Sequence, residues 1–280
     1  MSPFALGLVV VAAILHATWN VFAKRASGGV AFIWLSFAIS VCVYAPFAIG
    51  LAVLLRPQFG AVQLAFIAGN GALHLVYFVL LQRGYRSGDL SVVYPLARGT
   101  GPLLTVALAA VVFHERLSPV ALGGALFVAA GIYLTASKRA TAISVGYGIA
   151  TGASIAAYTL WDKESVAFLA IQPLLYDFGG NMVRFAMLSP FVVGRRTELA
   201  HEWRVHRAEA AGIAVLSPLA YLLVLWALIS TPVIYIAPAR EMSILIGTLA
   251  GTLVFREQHG GRRFVAAAVM LAGIAGLAAG

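Results

Sequence analysis

The chain carries the same hydrophobic segment twice, about 142 residues apart, and each copy holds an arginine inside an apolar run. The first copy begins at Ala97-Arg98 and the second at Ala239-Arg240, and residues 97–136 align with the later copy without a gap. About a quarter of the aligned residues are identical, including the Phe-x-Glu sequence that closes each apolar run. Long-period repeats with charges inside hydrophobic segments are typical of transporters built from internal repeats. We therefore expect two related halves with a functional site where they meet.

The composition favours a membrane protein. The chain is 61% hydrophobic and 10% charged over 280 residues, whereas a soluble domain has about 25% charged residues. Its apolar runs reach the length of about 20 residues that a helix needs to cross the hydrocarbon core. The single Cys42 excludes a disulfide framework. Most of the net charge of +9 lies in short loops, where a membrane surface explains it better than nucleic acid does.

Ten apolar runs have the length and composition of membrane helices. We predict spans at residues 3–24, 31–55, 61–82, 90–113, 119–137, 145–163, 173–194, 209–230, 233–255 and 263–279. Spans six to ten repeat the residue pattern of spans one to five, and because five is odd, the second copy enters the membrane from the opposite side. We therefore predict an all-α membrane protein of ten transmembrane helices, built as two inverted five-helix repeats, residues 1–140 and 141–280. The polar stretch 195–207 is predicted to be a solvated loop or an interfacial helix.

Short motifs at the ends of the spans connect the chain with a known family. They are Trp19-Asn20 and Lys24 in span one, Phe113-His114-Glu115-Arg116-Leu117 after span four, Phe255-Arg256-Glu257 after span nine, and a Gly-Ile pair after each glutamate. On these motifs the chain resembles ten-helix members of the drug/metabolite transporter superfamily with two EamA-like repeats, over essentially its whole length. The resemblance implies a permease or exporter and no enzyme, and relatives carry amino acids, sugars, nucleotides or organic cations. The second copy departs from the pattern at Gln258–Gly261, which we expect to affect only a loop.

Arg98 and Arg240 are the residues on which the functional prediction depends. A charged side chain at the bilayer centre costs about 2.5–3.5 kcal/mol on insertion scales, so its presence there indicates a function. Arg98 and Arg240 occupy the same position in the two copies, which favours a place for both on the wall of a central cavity. The alternative is that each side chain extends to the membrane surface and anchors its helix there. Each follows a proline, Pro95 or Pro238, which can open a helix near a cavity. Glu241 has no counterpart in the first copy and is a candidate for binding an amine or coupling a proton.

Polar and aromatic residues at helical spacing predict the rest of the site. His16, Trp19 and Asn20 share one face of span one, and a lipid-facing stripe would not contain a histidine and an asparagine. Spans three and six show the same kind of spacing. The alternative is that these groups bond packed helices together and never meet a substrate. With the arginines, the predicted substrate-binding residues are His16, Trp19, Asn20, His74, Tyr77, Tyr94, Arg98, Tyr158, Tyr221, Arg240 and Glu241.

Charged residues near the ends of the spans have a structural interpretation. Long basic side chains there can extend to the membrane surface, which we expect of Lys24, Arg83, Lys163 and Arg184. Glu115 and Glu257 close their spans at the water boundary, and we expect them to contact helix ends and not a ligand.

The sequence predicts a secondary transporter for a small polar metabolite, working by alternating access through a cavity between the repeats. The residues His201-Glu202 and His206 have the wrong spacing for a zinc protease, and no other catalytic motif is present. Two arginines, with only Glu241 and Asp162 to offset them, favour an organic anion or zwitterion of amino-acid size, since a guanidinium binds an oxyanion through two hydrogen bonds. The alternatives are an exporter of cationic or amphipathic drugs and an intramembrane enzyme.

The expected setting is the cell (inner) membrane, crossed many times. We expect membrane lipid and a small-molecule substrate as partners, no nucleic acid, and a monomer or homodimer, with no cofactor and no metal ion. The loops after odd-numbered spans contain thirteen Lys and Arg residues and those after even-numbered spans contain three. By the positive-inside rule both termini then lie outside. The family resemblance implies termini in the cytoplasm instead. Because the Lys and Arg asymmetry is thirteen to three, we predict both termini outside.

Overall fold

The computed structural model describes residues 1–26, 28–87, 90–116, 118–134, 141–244, 246 and 260–279. Within these ranges the chain is helical and contains no β-strand. The helices are α1 Pro3–Ala26, α2 Val30–Leu55, α3 Ala61–Ser87, α4 Leu90–Val112, α5 Pro119–Leu134, α6 Ala142–Lys163, α7 Pro173–Leu188, α8 Arg196–Ser230, α9 Val233–Ala239 and α10 Gly260–Ala279. A π-helical segment, Glu164–Phe168, continues α6, and a 3-10 turn, Ser189–Phe191, follows α7. The predicted all-α class is confirmed for this part of the chain.

The outer surface of the helices is apolar. In the described ranges five helical stretches are long and apolar enough to cross a membrane, namely Pro3–Ala23, Val30–Leu55, Ala61–Gly84, Ala142–Phe168 and Arg196–Ser230. Shorter apolar helices cover Leu96–Val112, Pro119–Leu134 and Ala268–Leu277. Large apolar side chains project outward, and Leu54, for example, is 77% exposed. Because so much exposed apolar surface suits lipid and not water, the chain is a multi-pass membrane protein.

The helices begin and end close to the predicted spans, with two differences. Predicted span nine reached residue 255, whereas α9 ends at Ala239 and residues 247–259 lie outside the described ranges. The polar stretch after span seven is helical and continuous with α8, and a non-helical backbone at His206 (φ −121°) separates it from the apolar part. Of the two alternatives for this stretch, the structure therefore has a helix. The total of ten transmembrane helices stays a prediction.

The helices pack in pairs that are related by the predicted repeat. α1 packs on α8 and α3 packs on α6, and each pair becomes the other when every helix is exchanged for its equivalent in the other half. The same exchange relates α2–α8 to α7–α3, and it maps α5–α10 and α2–α7 onto themselves. Two repeats related by a twofold axis predict such a pattern.

α5 and α10 approach each other closely at glycines. A Cβ atom on Gly124 would lie 2.6 Å from the carbonyl oxygen of Gly273, and one on Gly131 would lie 2.9 Å from that of Ala266. Small residues allow helix backbones to come this near. Because the later glycine of α5 meets the earlier residue of α10, the two helices run antiparallel.

The backbone leaves the helical path beside the second arginine. Pro238 has no N–H to donate, and α9 ends directly after it, with Arg240 and Glu241 in a turn. By contrast, α4 continues without a break through Arg98. The helix is thus interrupted for one turn beside Arg240, with backbone hydrogen bonds kept and helix again at Met242–Ile244, whereas the described helix around Arg98 is continuous.

Candidate functional site

A cavity of about 190 Å³ lies between helices of the two halves. Its wall comes from α1, α2, α3 and α4 of the first half and from α6, α7, α8 and the end of α9 of the second. About half of the residues that line it are polar, charged, or aromatic with a polar atom. Polar groups inside a membrane are costly and mark substrate or ion pathways. The cavity therefore lies at the junction where the repeat predicts the functional site.

Arg240 lies on the cavity wall at the end of α9. Its guanidinium carbon is 5.9 Å from the centre of the Tyr158 ring, within the range of a cation–π contact. Among the residues that the structure describes, no carboxylate lies within salt-bridge distance of Arg240. Its positive charge is therefore directed at the cavity without a close acidic partner.

Arg98, which the repeat makes equivalent to Arg240, lies in a different environment. Its Nε is 2.7 Å from Oε2 of Glu241, and its Nη2 donates to the Ser243 hydroxyl at 3.3 Å. Arg98 is 4% exposed and Glu241 is 2% exposed. Because buried ions are stable only when paired, Glu241 offsets the charge of Arg98 and not that of its sequence neighbour Arg240.

Four rings form one side of the cavity, which we call the aromatic wall: His74, Tyr77, Tyr158 and Tyr221. His74 stacks on Tyr158 with ring centres 4.2 Å apart and meets Tyr221 edge-on at 5.2 Å. Tyr77 meets Tyr158 edge-on at 5.7 Å. Nδ1 of His74 donates to the backbone oxygen of Asn70 at 2.9 Å, which fixes the ring. The wall offers ring faces together with polar edges.

α1 contributes two of the three residues that were predicted on its inward face. His16 and Trp19 line the cavity, and their rings are in edge contact with centres 4.7 Å apart. Asn20 does not line it, because its side-chain amide donates to the backbone oxygen of His16 at 2.8 Å. This local bond to the preceding turn is the usual alternative for a polar residue in a helix. Tyr94 is part of α4, but its side chain lies outside the described part of the structure.

α7 adds three lining residues that the sequence analysis did not assign to the site: Asp177, Asn181 and Arg184. Nη2 of Arg184 is 3.3 Å from Oδ1 of Asp177, and Nδ2 of Asn181 donates to Oδ2 at 3.0 Å. The guanidinium of Arg184 lies over the Phe37 ring, 5.6 Å from its centre. Arg184 therefore does not extend to the membrane surface as expected, because its partners hold it inside. The spacing i, i+4, i+7 on one helix face is the signal that identifies this group.

Asp162 lies directly behind the aromatic wall and is 1% exposed. Its Oδ1 accepts hydrogen bonds from Nδ2 of Asn70 at 3.0 Å and from the Tyr176 hydroxyl at 2.7 Å. Its Oδ2 accepts a short hydrogen bond from the Tyr221 hydroxyl. These donors belong to α3, α7 and α8. Since Tyr221 also lines the cavity, one side chain separates Asp162 from the space where a ligand would bind.

Two charged residues bind the helix ends around the α8–α9 connection. The carboxylate of Glu115 accepts from the N–H groups of the first two residues of α9 at 2.9 and 3.1 Å. Nζ of Lys163 donates to the carbonyl oxygens of Leu228 and Thr231 at the end of α8, at 2.7 and 3.1 Å. The helix dipole favours a negative charge at the start of a helix and a positive charge at its end, and Glu115 at the start of α9 and Lys163 at the end of α8 have these signs. Glu115 thus has the helix-end contact expected of it, whereas Lys163 is buried on carbonyls and does not extend to the surface.

The cavity brings together eight of the eleven predicted residues: His16, Trp19, His74, Tyr77, Arg98, Tyr158, Tyr221 and Arg240. Glu241 is buried one layer back against Arg98. In the described ranges no group of three or more His, Cys, Asp or Glu side chains could hold a metal ion. The site therefore contains two internal ion pairs, one arginine without a close carboxylate and one carboxylate bound only by neutral groups.

Comparison with known proteins connects this fold with transporters. Residues 3–137, which coincide with the first predicted repeat, match the model of the EamA-like transporter family. Comparison with curated proteins finds no match. Among solved structures 29 chains match, including a protein crystal structure with a TM-score of 0.78 and 18% sequence identity, which covers 99% of this chain and 96% of that one. At such low identity this likeness shows a shared fold over nearly the whole chain.

Proposed function

We propose that this protein, a membrane transporter that belongs to the drug/metabolite transporter superfamily, moves a small organic anion or zwitterion through its central cavity. Arg240 is the observation that carries the proposal. It is the lining arginine for which no carboxylate lies within salt-bridge distance in the described residues. A planar guanidinium binds a carboxylate or phosphonate through two parallel hydrogen bonds. The ring of Tyr158 supports the guanidinium from behind.

The charges of the other two arginines support the same conclusion. Arg98 is offset by Glu241 and Arg184 by Asp177, so neither pair gives the cavity a net charge. A cationic drug would face the positive charge of Arg240 with no lining carboxylate left unpaired, which costs free energy and selects against it. The aromatic wall provides faces for the organic part of the substrate, and a substrate amine could stack on one of them.

We further propose that transport occurs by alternating access between two inverted repeats. The cavity lies where helices of both halves meet, and packing that is related by helix exchange supports this arrangement. The contacts of Glu115 and Lys163 hold the α4, α6, α8 and α9 ends together at one membrane face. We place the protein in the cell (inner) membrane, surrounded by lipid, as a monomer or homodimer.

The test is uptake by the purified protein in phospholipid vesicles, using radiolabelled lactate, succinate, alanine, glutamate and tetraphenylphosphonium. We expect uptake of at least one anion or zwitterion, recovered chemically unchanged, and none of tetraphenylphosphonium. Arg240→Gln should lower this uptake about 100-fold, because two charge-assisted hydrogen bonds contribute about 3 kcal/mol. Arg240→Lys should restore part of it, since an ammonium keeps the charge without the planar geometry.

The matched control is Arg195→Gln, because Arg195 lies outside the cavity and its side chain is 52% exposed. We expect its uptake to equal that of the unmodified protein. Tetraphenylphosphonium transport that survives Arg240→Gln would instead support the drug exporter, and altered products without accumulation would support the enzyme.

A further inference from the structure

Asp162 differs from the buried Asp177 and Glu241, and from the partly exposed Glu115, in the chemistry of its partners. Glu241 and Asp177 each pair with an arginine, and Glu115 binds backbone N–H groups. Each of these three carboxylates thus has a partner that can only donate hydrogen bonds, an arginine or a backbone N–H, and such a partner favours the ionised form of the carboxylate. Asp162 is bound by two hydroxyls and one amide, each of which can both donate and accept.

Asn70 shows how this network can adapt to a change of charge. Its Nδ2 donates to Asp162, while its Oδ1 is buried and has no hydrogen-bond partner among the described residues. A half-turn of the amide presents Oδ1 to Asp162 in place of Nδ2, and the amide then accepts a hydrogen bond from a protonated carboxyl group. The surroundings of Asp162 can therefore satisfy both of its protonation states.

The charged and titratable groups around Asp162 come from every element packed near it. They are His74 of α3, Tyr176 and Asp177 of α7, Tyr221 of α8, Arg240 at the end of α9, and Tyr158 and Lys163 of α6 itself. Lys163 is bound to carbonyl oxygens at the end of α8, and Asp177 is paired with Arg184. Arg240 is the cation of this set that lines the cavity, and among the described residues no carboxylate lies within salt-bridge distance of it. It connects to Asp162 through Tyr158, His74 and Tyr221, each ring in contact with the next.

We propose that Asp162 is the proton-carrying residue of this transporter and that it takes up one proton when an organic anion binds Arg240. The proposal rests on the anion-binding role of Arg240 given above. In the empty carrier the charges of Asp162 and Arg240 offset each other. A bound monovalent anion neutralises Arg240 and leaves Asp162 as a buried, uncompensated negative charge, which is strongly unfavourable in the membrane interior. Uptake of one proton removes that charge.

Tyr221 provides the route for this proton. Its hydroxyl is bonded to Oδ2 of Asp162 and its side chain lines the cavity. The hydroxyl passes its proton to Oδ2 and receives another that the aqueous phase supplies and water in the cavity relays, so that Tyr221 and the water are unchanged and the carboxylate becomes a carboxylic acid. Both the empty and the loaded carrier then cross the membrane with a neutral centre. One proton therefore moves with each monovalent anion, and the overall cycle is electroneutral.

The first test uses vesicles with an imposed pH gradient and the singly charged anion of the panel above, lactate or glutamate, that shows the higher uptake. The unmodified protein should accumulate that anion when the outside is acidic, and an imposed membrane potential should not change the rate. Asp162→Asn, which is permanently neutral, should lose accumulation driven by the pH gradient but keep exchange of labelled for unlabelled anion. Tyr221→Phe should slow the driven uptake more than it slows the exchange, because the ring face that contacts the substrate stays and only the hydroxyl is lost. Glu198→Gln, an exposed carboxylate, is the matched control and should behave like the unmodified protein.

A second measurement needs no transported substrate. Infrared spectra of the reconstituted protein should show a carboxylic acid band that grows on acidification, is absent in Asp162→Asn and is stronger in Arg240→Gln at the same pH. An equal band in Arg240→Gln and the unmodified protein would overturn the coupling. So would a pH-driven accumulation that survives Asp162→Asn. If no anion or zwitterion of the panel is transported, the proposed function fails, and the infrared comparison still decides whether Asp162 and Arg240 are coupled.

Discussion

Arg98 and Arg240 occupy equivalent positions in the sequence repeat but have different partners in the structure. Glu241 lies next to Arg240 in the chain and pairs with Arg98 across the helix interface. Neighbouring residues of a helix or turn point in different directions, so sequence adjacency predicts little about which charges meet. Because Glu241 pairs with Arg98, Arg240 is left on the cavity wall with no carboxylate within salt-bridge distance among the described residues. The two halves of the cavity therefore present different charges to a substrate.

The Arg98–Glu241 pair gives a prediction about stability. Arg98→Gln leaves the carboxylate of Glu241 buried without a partner, which should lower the free energy of unfolding by about 3–5 kcal/mol. Arg98→Gln combined with Glu241→Gln replaces the ions with two amides that can bond to each other, so the double variant should lie closer to the unmodified protein. Thermal unfolding of the purified protein in detergent measures both. If the single and double variants unfold at the same temperature, the two side chains do not interact.

Residue periodicity predicted much of the site, and cross-helix pairing accounts for what it did not predict. Polar residues at i, i+3 and i+4 identified the inward faces of α1, α3 and α6, because lipid excludes such groups. The ion pair on α7 was missed because Arg184 lies near a helix end, where an outward-extended arginine is usual. Whether such an arginine turns inward depends on a partner such as Asp177 and on the neighbouring helix, which carries Phe37.

At the scale of elements, the α8–α9 connection is held by charges that belong to two other helices. Glu115 follows α4 and binds the first turn of α9, while Lys163 ends α6 and binds the last turn of α8. Four helix ends are thus joined at one membrane face through two side chains. Apolar contact alone would hold the same ends less specifically, because it has no directional preference.

Glu115→Ala should loosen the start of α9 without unfolding the protein. Loss of a helix N-terminal carboxylate costs about 1–2 kcal/mol, so backbone amides of residues 233 and 234 should exchange with deuterium several-fold faster. Hydrogen–deuterium exchange with mass spectrometry measures this, and Glu198→Ala, an exposed residue far from α9, is the control. Unchanged exchange at α9 would mean that the carboxylate does not bind there. The repeat assigns the equivalent position to Glu257, which lies outside the described residues.

Helix positions were predictable because the membrane requires apolar runs of about 20 residues. Turns within a run were less predictable. α9 ends at Ala239 although the apolar pattern continues, since Pro238 removes a backbone donor. The N–H groups of Arg240 and Glu241 bond to the carbonyl oxygens of Ile236 and Pro238, and the chain is helical again at Met242–Ile244. The helical part of 195–207 lacks an apolar run and most of its side chains are exposed, so hydrophobic periodicity does not distinguish it from a loop.

At the scale of the whole molecule, the Lys and Arg distribution predicts which way the chain lies in the membrane. Thirteen of these residues follow the odd-numbered spans and three follow the even-numbered ones, so we expect both termini outside the cytoplasm. A fluorescent protein that matures only in the cytoplasm, fused after Gly280, should therefore stay dark. The same fusion after residue 195, in one of the Lys- and Arg-rich loops that follow the odd-numbered spans, should be bright. The reverse result would show that the orientation implied by the family resemblance is correct.

The crossing of α5 and α10 has a consequence for the origin of the molecule. Gly124 meets Gly273, and Gly131 meets Ala266. In the aligned halves Gly131 corresponds to Gly273 and Gly124 to Ala266, so each contact is the image of the other. That reciprocity defines an isologous interface, the type formed by two identical subunits. An ancestral five-helix chain could thus have dimerised with a second copy inserted upside down. Joining the two genes would then have freed each copy to diverge, and a site confined to one half, such as the surroundings of Arg240 that Arg98 does not share, could arise only after that event.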